Sequence, residues 1–166
     1  MKIESKTKSA IAFLVSAYFI YYLFTHTDWH FIDSVNLIIH EAGHSIFMFF
    51  GTFINILGGS LLQVLFPCFC FIYFFRREEY FSASLVLFWV GQSIVNVSVY
   101  ASDALVMQLP LLGGDSVGHD WNNLLSMTGL LKYTDSIGSV IFTIGVATIL
   151  CAIYFAFSNS FGEKSA

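Results

Sequence analysis

The chain is written mostly in apolar runs separated by short polar stretches, and the breaks set out its elements. After a polar start with Lys2, Lys6 and Lys8, the run from Ala10 to Phe24 predicts a first membrane span. The bulky polar stretch Thr25-His26-Thr27-Asp28-Trp29-His30 that follows offers no small-residue cleavage site, so the run reads as an uncleaved span rather than a signal peptide. Phe31 to Phe50 predicts a second span. The segment from Gly51 to Gly59 then has glycines at both ends and β-branched residues alternating between them, which predicts a short extended, β-like or re-entrant piece. A third span, Ser60 to Phe75, carries Pro67 and stops at Arg76-Arg77-Glu78-Glu79; a fourth covers Phe81 to Met107. Pro110 to Gly118 reads as a loop, Asp120 to Leu131 as a short helix, and Ile137 to Phe157 as a fifth span ahead of a polar tail. The expected fold is a single all-α domain over residues 1–166, a polytopic bundle of about five spans with the β-like segment after its second helix.

Composition supports the membrane reading. A chain of 166 residues that is 57% apolar and 11% charged has more apolar surface than one soluble core of this size can hide. Its mean hydropathy is +0.74. The net charge of -4, with no basic cluster longer than Arg76-Arg77, sets nucleic acid aside as a partner and leaves the lipid bilayer. Cys68, Cys70 and Cys151 lie in apolar runs without CxxC spacing, so they form neither a disulfide framework nor a cysteine metal site. Topology is contradictory at this level. Three crossings before Arg76-Arg77 would put those arginines opposite the N-terminal lysines, against the positive-inside tendency.

Polar residues inside the runs carry the chemistry. His40-Glu41-Ala42-Gly43-His44 places two imidazoles one helical turn apart on one face, the arrangement that lets both hold one tetrahedral metal with a glutamate beside them. The motif falls near the middle of its run, so the expectation is a site about half-way through the apolar layer, where ionisable groups need mutual compensation. Asn36, one turn earlier on the same face, is a candidate hydrogen-bond partner for a ligating imidazole. In the fourth run Gln92, Asn96, Tyr100 and Asp103 recur at steps of four, four and three, a polar stripe that must face protein or water. A zinc ion held by His40 and His44 needs a third protein ligand. Asp103, Asp115, His119 and Asp120 are the candidates.

In these features the chain resembles the site-2 protease class of membrane-embedded zinc metalloproteases: the motif in an early span, a glycine-bounded segment after it, and a later aspartate before a leucine-rich helix. The resemblance implies Zn2+ as cofactor, Glu41 as the general base, and an aspartate from a later Gly- and Pro-containing segment as third ligand. Asp120 in His119-Asp120-Trp121-Asn122-Asn123-Leu124-Leu125 is the positional match, although the Leu-Asp-Gly motif of the class is missing; His119 and then Asp103 follow. Asn96 or His119 would stabilise a developing oxyanion. The substrate implied is a transmembrane or juxtamembrane segment of a membrane protein, which the β-like segment could take by strand addition, in a cell inner or plasma membrane. Gly43 marks a close approach to the motif helix by the fourth span or by the His119-Asp120 loop. A different class of function also uses such a centre: a metal- or proton-binding transporter or scaffold, with Glu41 as ligand or relay.

Overall fold

The computed structural model describes residues 5–110 and 118–160, and among these the fold is all-helical, without a strand. Asp115 lies outside the described residues. The helices are α1 (Ser5–Phe24), α2 (Phe31–Phe47), α3 (Thr52–Arg76), α4 (Tyr80–Ser102), α5 (Asp120–Thr128) and α6 (Thr134–Ser160). α1, α3, α4 and the stretch Leu131–Ser160 containing α6 are long and apolar enough to cross a membrane, which points to a membrane protein. α2 is shorter, at 17 residues, and carries Asp33 and Glu41 among its apolar positions.

The boundaries have local causes. At the start of α2, Asp33 Oδ2 accepts the backbone N–H of His30 at 2.7 Å, so an orphan donor at the helix N-terminus is satisfied. A 3-10 turn at Met48–Phe50 and Gly51, at φ 87°, end the segment; that conformation strains any residue with a β-carbon. Thr52 then opens α3 directly. The extended or β-like segment expected at 51–59 is therefore not there, and the edge strand for substrate addition goes with it. Gly51 makes the turn, whereas Gly58 and Gly59 serve contact. A β-carbon on Gly43 would collide with the carbonyl of Gly58 and lie 2.9 Å from Gly59 Cα, and one on Gly58 would lie 2.8 Å from the Phe47 side chain. The element that closes on Gly43 is thus α3, not the fourth span or the His119-Asp120 loop. Further along the chain, α4 ends at Ser102 rather than Met107, and α5 ends at Gly129, whose φ of 71° terminates the helix in the left-handed conformation.

α4 is the buried centre. Phe88 and Val95 pack with Phe19 and Tyr22 of α1 and with Ile149, Ala152 and Ala156 of α6. Gly91 and Gly145 let α4 and α6 meet nearly backbone to backbone. The outward faces, by contrast, are apolar and open: Phe13 and Leu14 on α1, Phe69 on α3, and Val140, Ile144 and Tyr154 on α6.

The helix ends sort into two groups. At one end, Ser5 Oγ donates to the Ser160 carbonyl at 2.9 Å, Lys8 lies 5.6 Å over the Phe81 ring, and Phe75 packs on Tyr80. The start of α1, the end of α3, the start of α4 and the end of α6 therefore meet there. At the other end, His26 just beyond α1 packs on Phe142 in the first half of α6, Ser102 packs on Gly138, and Trp121 of α5 donates to Ser60 in the first half of α3.

The α4–α6 contact is testable. A β-carbon on Gly145 would lie 2.6 Å from the Val95 side chain. Gly145→Val is expected to destabilise the bundle by about 1–3 kcal/mol through overpacking. Ile144→Val, next to it on the open face, should stay within about 0.5 kcal/mol. Thermal unfolding in detergent, followed by circular dichroism, checks both.

Candidate metal centre

The site forms where α2, α3, α4 and the N-terminus of α5 converge. His40 and His44 project from the same face of α2, as i and i+4 residues do, with ring centroids 4.8 Å apart. Asp120, the first residue of α5, brings Oδ2 to 2.9 Å from His40 Nε2 and 3.1 Å from His44 Nε2. Three potential ligand atoms thus lie within 4.8 Å of one another, a cluster that could hold a metal ion.

Of the candidates for a third ligand, Asp120 is the one brought to the imidazole pair. His119 faces away: its Nε2 lies 3.3 Å from Asp103 Oδ2, and its Nδ1 accepts the backbone N–H of Asn122. It is the N-cap of α5. Asp103 is occupied as well, accepting the backbone N–H groups of Gln108 and Leu109 at 2.9 Å each. These two residues anchor the loop that carries Asp120, and Tyr100 fixes its backbone by accepting the Asp120 N–H at 3.0 Å.

The outer contacts decide which nitrogen each imidazole offers. His44 Nδ1 lies 2.9 Å from the carbonyl oxygen of Asn55, a group that can only accept, so Nδ1 carries the proton and Nε2 faces Asp120. His40 reaches the same state through a relay. Asp33 Oδ1 accepts from Asn96 Nδ2 at 3.0 Å, which leaves Asn96 Oδ1 to accept from Gln63 Nε2 at 2.7 Å. Gln63 Oε1 is then turned to His40 Nδ1, 3.2 Å away, and accepts its proton. Both Nε2 lone pairs therefore converge on one carboxylate oxygen. Such a convergence of acceptors requires a positive charge between them, a proton or a cation, and the donor set of two imidazoles and a carboxylate could hold a metal ion. With protons on the imidazoles, burial still opposes ionisation of Asp120, but the hydrogen bonds then donated by His40 and His44 outweigh that and hold its carboxyl below the usual carboxylate range. The helix N-terminus it occupies also favours the anion.

Beside the cluster lies a cavity of about 550 Å³. Polar Glu41, Asn55, Gln63 and Tyr100 line it together with apolar Leu37, Ile56, Val99 and Leu109, and His26 to Trp29 of the α1–α2 connection, with Trp29 exposed, border it as well.

Two supporting residues are placed differently from the sequence expectation. Asn36 does not reach an imidazole; it donates to Gln92 Oε1 at 2.7 Å and accepts from the Trp89 indole at 2.9 Å. Asn96 lines the cavity, but its amide is committed to Gln63 and Asp33. Asp33, Gln63 and Asn55 were not among the sequence candidates. A lone glutamine in the long apolar run of α3 was the available sign for Gln63; Asn55 acts through a backbone carbonyl, which no side-chain pattern reveals.

No family model matches the chain, and comparisons with curated proteins and with solved structures return no match.

The relay makes Gln63 a measurable part of the centre. Gln63→Leu removes the acceptor for His40 Nδ1 and is expected to weaken zinc or cobalt binding by about 10–100-fold. Metal titration of the purified protein in detergent reads this directly; an unchanged affinity would remove Gln63 from the site.

Proposed function

We propose that the protein is a multi-pass membrane zinc metalloprotease similar to the site-2 protease class, hydrolysing peptide bonds in or next to the membrane segments of other proteins. The observation that carries the reading is the approach of Asp120 Oδ2 to both Nε2 atoms, with Glu41 of the same helix turn lining the adjoining cavity. Motif and third carboxylate come from positions 80 residues apart in sequence. Their meeting beside a cavity lined by both polar and apolar side chains suits a peptide substrate.

In this reading His40, His44 and Asp120 hold the ion, and two positions in the sequence expectation gain definite roles: Asp120 as third ligand, His119 as the cap that sets it. When bound, the ion supplies Lewis-acid polarisation and lowers the pKa of water in its open position. Glu41 accepts the proton of the attacking water and returns it to the leaving amine. Tyr100, whose oxygen accepts the Asp120 N–H, has its own O–H to donate to the substrate carbonyl as negative charge develops there. This hydroxyl replaces Asn96 and His119, both otherwise engaged, as the oxyanion donor. Leu37, Ile56, Val99 and Leu109 bind apolar side chains of the substrate and exclude bulk water from the reacting carbonyl.

Glu41→Gln is expected to keep stoichiometric zinc and normal thermal stability while lowering cleavage of a membrane-peptide reporter by about 10²–10⁴-fold, the usual contribution of a general base. Cleavage at the parent rate would sink the mechanism. Tyr100→Phe should lower kcat by about 10²-fold with zinc content unchanged, since it removes one donor to the oxyanion. If the purified protein instead moves metal ions or protons across vesicle membranes and cleaves nothing, it is a transporter.

A further inference from the structure

We infer that α2 enters and leaves the membrane on one side, and that the metal centre opens to the non-cytoplasmic face. α1 ends, and α3 begins, at the same end of the bundle, the end that also holds α5 and the start of α6. α2 joins those two points. It cannot add a crossing, and α1, α3, α4 and α6 make four. This removes the conflict in the charge pattern. With two crossings before them, Arg76 and Arg77 return to the side of Lys6 and Lys8, and four of the five basic residues in the described chain gather at one end. Lys132 is the one at the other. Orientation follows Lys and Arg rather than net charge, so Glu78 and Glu79 do not offset the arginines, and the basic end is cytoplasmic.

The centre belongs to the opposite end. Tyr100 is two residues before the end of α4, and Asn55 is three residues after the start of α3. At 1.5 Å per residue those two contacts lie within about 5 Å of the helix termini, and Gln63, which holds His40, lies about 16 Å along α3, so the centre reaches inward from the non-cytoplasmic end of the bundle. Asp120 stands on α5, outside every crossing helix. Trp29, exposed and bordering the cavity, sits where aromatic side chains meet the membrane surface. Water thus reaches the centre from the surface without a channel through the bundle. The substrate class follows, resting on the protease reading: membrane proteins cut at the non-cytoplasmic boundary of a spanning helix, where terminal carbonyls lack helical partners and the backbone opens most readily.

Orientation and proteolysis are tested separately. Cys68, Cys70 and Cys151 are replaced by alanine in the full chain, and single cysteines are introduced as Thr27→Cys, Phe49→Cys, Ser126→Cys and Glu78→Cys, all at exposed positions. A membrane-impermeant maleimide applied to intact cells or spheroplasts is expected to label the first three, and the fourth only after the membrane is opened. Labelling of Thr27→Cys and Phe49→Cys from opposite sides would show that α2 crosses. Labelling of Glu78→Cys from outside, or of none of the other three, would reverse or abolish the assigned orientation. Each of these results overturns the inference. In parallel, the parent protein is given a single-pass reporter and the cut is located by mass spectrometry; a cut at the cytoplasmic boundary also overturns it. The expected labelling with an uncut reporter rejects proteolysis and leaves the orientation standing.

Discussion

A buried carboxylate can only accept hydrogen bonds, and Asp33 imposes that constraint on the centre of the protein. Its oxygens take the His30 backbone N–H and the amides of Gln92 and Asn96, so each of those amides must point its nitrogen inward. On one branch the direction passes through Asn96 and Gln63 to His40. On the other it passes from Gln92 Oε1 to Asn36, whose remaining oxygen accepts from Trp89, an indole that can only donate. The Asn36 branch therefore runs between two one-way groups, Asp33 and Trp89, and the His40 branch takes its direction from Asp33. The amides of both branches have a single consistent orientation, which amides joined only to one another would lack.

The sequence carried the local chemistry further than the architecture. The i, i+4 histidines share a face because helix geometry puts them there, and of the stripe, Asn96, Tyr100 and Asp103 are engaged with the centre or with the loop beside it, while Gln92 joins the Asp33 network. Apolar runs announced the four helices long and apolar enough to cross a membrane, whose outward faces are apolar. What the pattern hid was direction. The run Phe31 to Phe50 is long enough to look like a span, and only contacts distant in sequence show that it joins two points on one side. Gly58 and Gly59 misled similarly. Read locally, glycine breaks a helix; here the missing β-carbons let two helices touch, and packing overrides the weak preference of Thr52, Ile54 and Ile56 for extended chain.

That contact also reaches the centre itself. A β-carbon on Gly59 would lie 2.5 Å from His40 Nε2, so the glycine that seats α2 on α3 also clears the space in which the imidazole stands. α2 is backed by α3 on this flank, while its other flank faces the cavity and meets α4 through long polar side chains. Rigidity and access are thereby divided between two sides of one helix.

Asp120 sits on a nine-residue helix held by a cap, a few polar contacts and the buried Leu124 and Leu125, whereas the histidines belong to the packed α2–α3 pair. A cation gripped by both would be a crosslink between residues 80 apart in the chain. It would close a long loop, and the conformational entropy lost in closing that loop would be charged against the affinity for the ion. Metal occupancy and the ordering of α5 would then be a single equilibrium, read equally well from either side.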